Sequence, residues 1–174
     1  MPRPTSADLR IAVLNDAHDR LGFTCGVESL DRYLMTQAGQ DVRRKANAVF
    51  VLSREAEPNR VLGYYTLCAM AVSRGEVPDA ARKHVPRYPL VSCTLIARLA
   101  VAKDRQSQRL GSILLADALR RAFASANTVG SSMVIVDALD EAAAGFYEAH
   151  GFVRLPDSLS LVMPIRQAGG GSER

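Results

Sequence analysis

Hydrophobic residues change period several times along the chain, and each change marks an element. Leu9–Leu14 (LRIAVL) alternates as a first strand does, and the turn-like stretch Asn15–Gly22 follows it. From Glu28 the spacing becomes Leu30, Tyr33, Leu34, Gln37, Ala38 and Asp41, which predicts one amphipathic helix ending near Lys45. Ala48–Ser53 and Val61–Val72 flank the polar segment Arg54–Arg60, whose Pro58 and Asn59 mark a turn, and so predict an antiparallel hairpin. Ser73–Pro89 is broken by Pro78, Pro86 and Pro89 and reads as a short helix inside a basic connection. Leu90–Val101 (LVSCTLIARLAV) is apolar enough for a central strand buried on both faces. Leu110, Ile113, Leu114, Leu119, Ala122 and Phe123 recur at helical spacing to about Ala126. Met133–Asp137 is a short strand, Glu141–His150 a helix stopped by Gly151, and Ser160–Ile165 a last strand whose Pro164 suits a sheet edge. The order β-α-β-β-(α)-β-α-β-α-β describes an α+β chain with about six strands.

With 174 residues, 48% of them hydrophobic, the chain suffices for one core, expected over residues 1–166. Residues 167–174, Gln167–Arg174 (QAGGGSER), read as a flexible tail. The net charge of +4 favours a polyanionic partner over a polycation. Cys25, Cys68 and Cys93 are far apart and odd in number, which argues against a disulfide framework or a structural zinc site and leaves them as small buried hydrophobes. No run reaches the roughly 18 apolar residues of a membrane span, and the N-terminal residues lack the apolar core of an export signal; a cytoplasmic protein with no metal and no membrane contact is expected.

Two segments carry candidate chemistry. Arg98–Leu115 (RLAVAKDRQSQRLGSILL) delivers a strand through a polar loop into a helix. Helix starts leave backbone N–H groups outside the intrahelical ladder and carry partial positive charge, so a pyrophosphate at Gln108–Ser112 is stabilised there. Gly111 permits close backbone approach, and Arg105 and Arg109 supply cations. An ordinary strand-to-helix turn with a solvated basic loop fits the same residues. The second segment is Phe146–Phe152 (FYEAHGF), where Tyr147 is either a proton donor to a leaving thiolate or a core aromatic with its hydroxyl at the rim.

The two segments together, in this order, resemble the GNAT superfamily of N-acetyltransferases. Its motif Q/R-x-x-G-x-G/A is matched by Gln106-Ser107-Gln108-Arg109-Leu110-Gly111, with Arg109 where the first glycine stands, and its later tyrosine by Tyr147. The resemblance covers nearly the whole chain. It implies a mixed sheet, mostly antiparallel, with helices on both faces and a splayed pair of strands that holds acetyl-coenzyme A as co-substrate. Leu99, Ala100 and Val101 then offer backbone to the pantetheine arm and polarise the thioester carbonyl, while Arg105, Gln106, Gln108, Arg109, Leu110, Gly111 and Ser112 hold the phosphates. No covalent enzyme intermediate is required, and Asp137, Asp140, Glu141, Glu148 and His150 are unranked as general bases.

Further stretches, among them Gly63-Tyr64-Tyr65-Thr66-Leu67, Pro86-Arg87-Tyr88-Pro89 and Arg98-Leu99-Ala100-Val101, are similar to the GNAT toxins of bacterial type II toxin–antitoxin pairs. That branch acetylates the α-amino group on charged tRNA, blocks translation and is neutralised by a ribbon-helix-helix antitoxin. The resemblance implies operator DNA contact only through the antitoxin complex, and a homodimer. An α-amino group titrates near pH ~8, so a useful fraction is neutral without a strong base. Arg43, Arg44, Arg82, Lys83 and Arg87 form the expected basic rim for tRNA, with scattered solvated helix faces as the alternative. Tyr64, Tyr65 and Tyr88 offer rings to a nucleotide, one of the first two being assigned to the core. A GNAT acting on a small amine or protein N-terminus, and a non-catalytic binding protein on the same fold, are the other readings of the chain.

Overall fold

The computed structural model describes residues 8–165, so the tail expected over Gln167–Arg174 lies outside the described residues. Seven strands, β1 (Leu9–Val13), β2 (Ala48–Arg54), β3 (Gly63–Ser73), β4 (Leu90–Val101), β5 (Met133–Asp137), β6 (Val153–Arg154) and β7 (Ser160–Pro164), pair in the order β1-β2-β3-β4-β5-β7-β6. The helices are α1 (Glu28–Thr36), α2 (Ala38–Arg43), α3 (Asp79–Arg82), α4 (Leu110–Ser125) and α5 (Glu141–Ala149). Short 3₁₀ segments cover Arg74–Glu76 and Lys103–Gln108. The β4–β5 pair is parallel and β1–β2, β2–β3, β5–β7 and β6–β7 are antiparallel, which makes the sheet mixed. A parallel pair needs a long crossover, and α4 supplies it between β4 and β5. The contacts divide the described residues into two compact units: residues 8–68 with Arg98–Ala118, and Ala69–Ala97 with residues 119–165.

In the first unit, the alternation of β2 and β3 sends successive side chains to opposite faces. Val49, Val51 and Tyr64 join Leu30, Tyr33 and Leu34 of α1 in a buried cluster that also takes Ala100 and Ala102. The Tyr64 hydroxyl donates to the Leu30 carbonyl at 2.6 Å, and its ring stacks on Tyr33. On the other face Phe50 stacks on Tyr65, whose hydroxyl donates to Asp117 of α4 at 2.5 Å. Both strand tyrosines are fully buried, so neither ring is available to a nucleotide, contrary to the sequence expectation for one of them.

The single helix expected from Glu28 to Lys45 is two helices, broken at Gln37, whose φ of −120° leaves the helical region. Asp41 explains the break. Its carboxylate accepts the Tyr33 hydroxyl at 2.8 Å and the side-chain amides of Gln37 at 2.9 Å and Asn47 at 3.0 Å, so α1, the break at Gln37 and the segment after α2 are tied to one group in α2. The same donors, the Gln37 amide first, hold the Asp41 carboxyl below its ordinary range.

In the second unit, β4 pairs with β5 over Cys93↔Met133 to Ile96↔Val136, and the strand continues to Val101. Burial along β4 reaches both faces but is incomplete: Val91 and Cys93 are buried on one face and Ile96 and Ala100 on the other, while Thr94 and Leu95 are half-exposed. Val72, Val77, Val91, Cys93, Met133, Ile135 and Val162 form this unit's cluster. The strand β7 lies between β5 and β6, so Pro164 is not in an edge strand as expected. Only Leu161 and Val162 face the two-residue β6, which leaves Pro164 beyond that pairing, where its missing N–H costs no ladder bond. Cys25 and Cys93 are buried, but Cys68 is only half-buried.

Candidate active site

The end of β4 is held by unusually close packing. A Cβ on Gly63 of β3 would stand 2.8 Å from the Ala100 carbonyl oxygen and 2.8 Å from Leu114 of α4, so only glycine lets β3 approach this segment. Ala100 is buried and Leu99 and Val101 are half-buried. The Ala102 N–H donates to the Leu62 carbonyl at 2.8 Å and the Lys103 N–H to that of Thr24 at 2.8 Å.

The loop then turns through the 3₁₀ segment Lys103–Gln108. The Gln106 side-chain amide donates to the carbonyls of Cys25, at 2.8 Å, and Val101, at 3.1 Å, so this side chain braces the turn from inside. The Asp31 carboxylate in turn accepts the Cys25 N–H at 2.8 Å and the Thr24 hydroxyl at 3.0 Å, which fixes the strand-like segment the brace rests on. Arg109 lies in the left-handed region, φ 60° and ψ 23°, directly before α4. The residue at the motif's glycine position thus adopts the backbone conformation for which glycine is suited, at a cost of about 1 kcal/mol for a residue with a Cβ. The helix α4 begins at Leu110, giving a sixteen-residue dipole whose positive end meets the loop. The Gln108 amide oxygen is buried with no hydrogen-bond partner among the described residues, and Arg109 is exposed. A helix start, cationic side chains and an amide oxygen awaiting a donor suit a ligand with phosphates at one end and N–H or O–H groups along its length.

Tyr147 sits in the last turn of α5, and the way that helix ends positions it. Asp140 caps the start by accepting the Ala143 N–H at 2.8 Å. At the other end Gly151 takes φ 95°, its N–H donates to the Glu148 carbonyl, and the Phe152 N–H donates to the Tyr147 carbonyl, each at 3.1 Å. This is a Schellman cap, and the apolar contact that accompanies such caps is the ring of Phe152 against that of Tyr147, with centroids 5.6 Å apart. The ring of the neighbouring Phe146 also packs edge-on, with centroids 5.2 Å apart. Tyr147 is 6% exposed, and burial pushes its phenol up to about 12, so the proton stays on at neutral pH.

The five unranked base candidates each have a structural partner. Asp137 accepts the Ser160 hydroxyl at 2.7 Å, Asp140 is the cap just described, and Glu141 and Glu148 both pair with Arg154 at 2.8 Å. A ring nitrogen of His150 lies 2.8 Å from the Phe146 carbonyl. Among the described residues no group of three or more His, Cys, Asp or Glu side chains is placed to hold a metal ion, and no helix is long and apolar enough to cross a membrane.

Of the expected basic rim, Arg43 and Arg44 are exposed at the end of α2, and Lys83 and Arg87 are exposed after α3. Arg82 is turned inward, donating to the carbonyls of Gly75 and Val77 and pairing with Asp79 at 3.0 Å. Tyr88, next to Arg87, is 71% exposed. Sequence reasoning met Gly63 only as part of a family-like stretch and assigned no structural role to it or to Asp31; a glycine inside a strand pattern is the signal for the first role, and nothing local signals the second.

The pattern of the Acetyltransferase (GNAT) domain matches residues 45–154 of the chain. The chain is 33% identical over 156 residues to the tRNA-acetylating toxin of Mycobacterium tuberculosis (strain ATCC 25618 / H37Rv), covering 89% of this chain and 91% of that protein. It is similar to a solved structure of AtaT complexed with acetyl-methionyl-tRNAfMet, at TM-score 0.82 and 32% identity over 90% of this chain and 95% of that one. It is also similar to a tyrosine-to-phenylalanine mutant of AtaT bound to the C-terminus of the antitoxin AtaR and acetyl-CoA, at TM-score 0.76 and 29% identity over 91% and 94% of the two chains.

Proposed function

Because this chain belongs to the GNAT acetyltransferase family, we propose that it transfers acetyl from acetyl-coenzyme A to the α-amino group of an aminoacyl-tRNA, as the toxin of a type II toxin–antitoxin pair. The observation that carries the catalytic part is Tyr147, a buried phenol fixed by a helix cap and holding its proton across the physiological range. The acceptor class is supported by the likeness, over most of both chains, to a tRNA-acetylating toxin.

In this reading the pyrophosphate lies at Gln106–Ser112 with Arg105 and Arg109 beside it, and the backbone at Leu99–Val101 holds the pantetheine arm and polarises the thioester carbonyl. The neutral amine attacks the carbonyl carbon, a C–N bond forms and the C–S bond breaks. The electron pair departs on sulfur, Tyr147 gives its proton to that thiolate, and the proton released by the amine restores the phenol. No group with a base's geometry is needed, since the α-amino group of an aminoacyl ester is partly neutral near pH ~8. Arg43, Arg44, Lys83 and Arg87 meet tRNA phosphates, while Arg82 supports the connection that carries the last two. The protein acts in the cytoplasm as a homodimer, is neutralised by a ribbon-helix-helix antitoxin, and meets operator DNA only within that complex.

The test is incubation with labelled acetyl-CoA and a pool of charged tRNAs, followed by mild base hydrolysis and identification of labelled N-acetyl amino acids. Label that appears instead on a polyamine or a protein N-terminus, with none on charged tRNA, replaces this reading with one of the other GNAT activities.

A further inference from the structure

Arg20, in the loop after β1, and Arg43, at the end of α2, converge over Gly39 of α2. A Cβ on Gly39 would stand 2.7 Å from Arg20 Nη1 and 3.4 Å from Arg43 Nη1, so both guanidiniums crowd one point that only a glycine leaves open. Position 43 lies one turn beyond position 39 on the same helix face, whereas Arg20 reaches that face from another element. Arg20 is half-buried and Arg43 is exposed, which puts the point at the surface of the first unit.

No carboxylate among the described residues forms an ion pair with either guanidinium. The acids nearest to them along the chain are engaged elsewhere: Asp19 accepts the Gly22 N–H at 3.0 Å, and Asp41 holds Tyr33, Gln37 and Asn47. The charge of Arg20 is felt beyond the pair, since burial first, and then Arg10 and Arg20, hold the His18 ring below its ordinary pKa. Like charges brought together repel, and an anion between them turns that repulsion into attraction. A guanidinium offers a planar fork of N–H donors that fits the oxygens of a phosphate, and two forks over a position with no side chain leave room for one.

We propose that Arg20 and Arg43, set over Gly39, clamp one backbone phosphate of a bound nucleic acid. The inference rests on tRNA as the ligand, the reading of the preceding subsection, and deepens it. It adds Arg20, makes Arg20 and Arg43 act on a single phosphate, and gives Gly39 the role of keeping the gap clear. A phosphate shared by two arginines releases its counterions once, so salt dependence distinguishes a clamp from two separate contacts.

The test uses the full chain and uncharged tRNA in filter binding across a salt series, with inorganic phosphate titrated by calorimetry alongside. Gly39→Ala separates geometry from charge: it keeps the net charge, brings in a better helix former, and drives a Cβ against the flexible end of Arg20. It is expected to weaken tRNA binding several-fold and to reduce the slope of log K against log salt by about one. Arg20→Gln combined with Arg43→Gln also reduces that slope by about one, not by about two, and adding Gly39→Ala to the pair changes nothing more. A Gly39→Ala protein with wild-type affinity and slope, or a double arginine variant whose slope falls by about two, overturns the clamp. So does inorganic phosphate binding that depends on Arg20 while tRNA affinity does not, which makes this a site for a free anion. If charged tRNA is not acetylated and uncharged tRNA still binds through Arg20 and Gly39, the transfer reading falls and the clamp stands. No binding of tRNA by the wild type overturns both.

Discussion

The backbone N–H of Phe152 donates to the carbonyl of Tyr147 at 3.1 Å while their rings meet edge-on, 5.6 Å between centroids. One helix cap therefore sets both the end of α5 and the placement of the phenol. The cap depends on Gly151 at φ 95°, a conformation that a residue with a Cβ adopts only with strain. The nearest atom to an added Cβ is the Met163 methyl at 3.5 Å, an ordinary contact, so space is not the obstacle. Gly151→Ala is expected to lower unfolding stability by about 1–2 kcal/mol through backbone strain alone. It should also reduce kcat more than it raises either KM, because Tyr147 moves with the cap. Urea denaturation and steady-state kinetics check both; an unchanged kcat in a destabilised variant would separate the cap from the chemistry.

Tyr147→Phe removes one oxygen and keeps the ring that packs on Phe146 and Phe152. The fold is expected to persist while acetyl transfer falls about 100- to 10,000-fold, the usual worth of a positioned proton donor. Since burial holds the wild-type phenol up at about 12, its proton is retained throughout the assay range. The rate should rise with pH as the substrate amine loses its proton near pH ~8, with no falling limb from Tyr147 below that phenol's range. A descending limb near neutrality in the wild type, absent from the phenylalanine variant, would contradict the assignment of a high phenol pKa.

How much of this was readable in advance varied with the range of the forces involved. The bounds of β4 and β5 follow the apolar runs Leu90–Val101 and Met133–Asp137 because polar residues and helix starts flank them closely. The break at Gln37 does not show in the spacing, since it is made by Asp41 gathering three donors, one of them Tyr33 eight residues back along the chain. The two-residue β6 exists only through its pairing with β7, and a run that short carries no period of its own. Tyr64 and Tyr65 alternate as strand neighbours should, but that both faces are covered depends on α1 and α4, distant in sequence. At the site, Tyr147 and the loop were identifiable as candidates from local motifs. That Gln106 spends its amide on Cys25 and Val101 is a contact over 81 residues in its first half, beyond any local pattern.

Arg109 offers a direct measurement of what a side chain costs at the motif's glycine position. Its φ of 60° is left-handed, worth about 1 kcal/mol of strain, while glycine there costs a comparable amount in unfolded-chain entropy. Arg109→Gly should therefore change stability by less than about 1 kcal/mol, whereas β-branched Arg109→Val should destabilise by more. If the guanidinium contacts the pyrophosphate, both variants raise the KM for acetyl-CoA several-fold at low salt and converge on the wild type as salt rises. A KM indifferent to Arg109→Gly would leave phosphate binding to the helix start and Arg105.

Arg87 and Tyr88 are both exposed in the connection between α3 and β4. A phosphate contact by Arg87 releases counterions, so Arg87→Ala is expected to weaken binding of every charged tRNA similarly and to reduce the slope of log K against log salt by about one. Tyr88→Ala should cost about 1–3 kcal/mol of binding with little change in that slope, as loss of a stacking surface does. Filter binding across a salt series distinguishes the two. An Arg87→Ala slope equal to that of the wild type would remove this residue from the interface.

His18 ties stability to pH far from the chemistry. It is 7% exposed, and its Nδ1 accepts the Asn15 N–H at 3.1 Å, which requires that nitrogen to be unprotonated. Burial, with the charges of Arg10 and Arg20, lowers its pKa below the ordinary value of 6.5. The unfolded chain then binds the proton first as pH falls, so the contribution of His18 is complete above 6.5 and is lost as pH drops through the folded-state value. Between about pH 7.5 and about pH 5 the wild type should lose more unfolding free energy than His18→Asn, which has no proton to gain there. Urea midpoints at matched slopes measure the difference. Parallel losses in the two proteins would show that protonation of His18 is not what loosens the Asn15–Gly22 loop in acid.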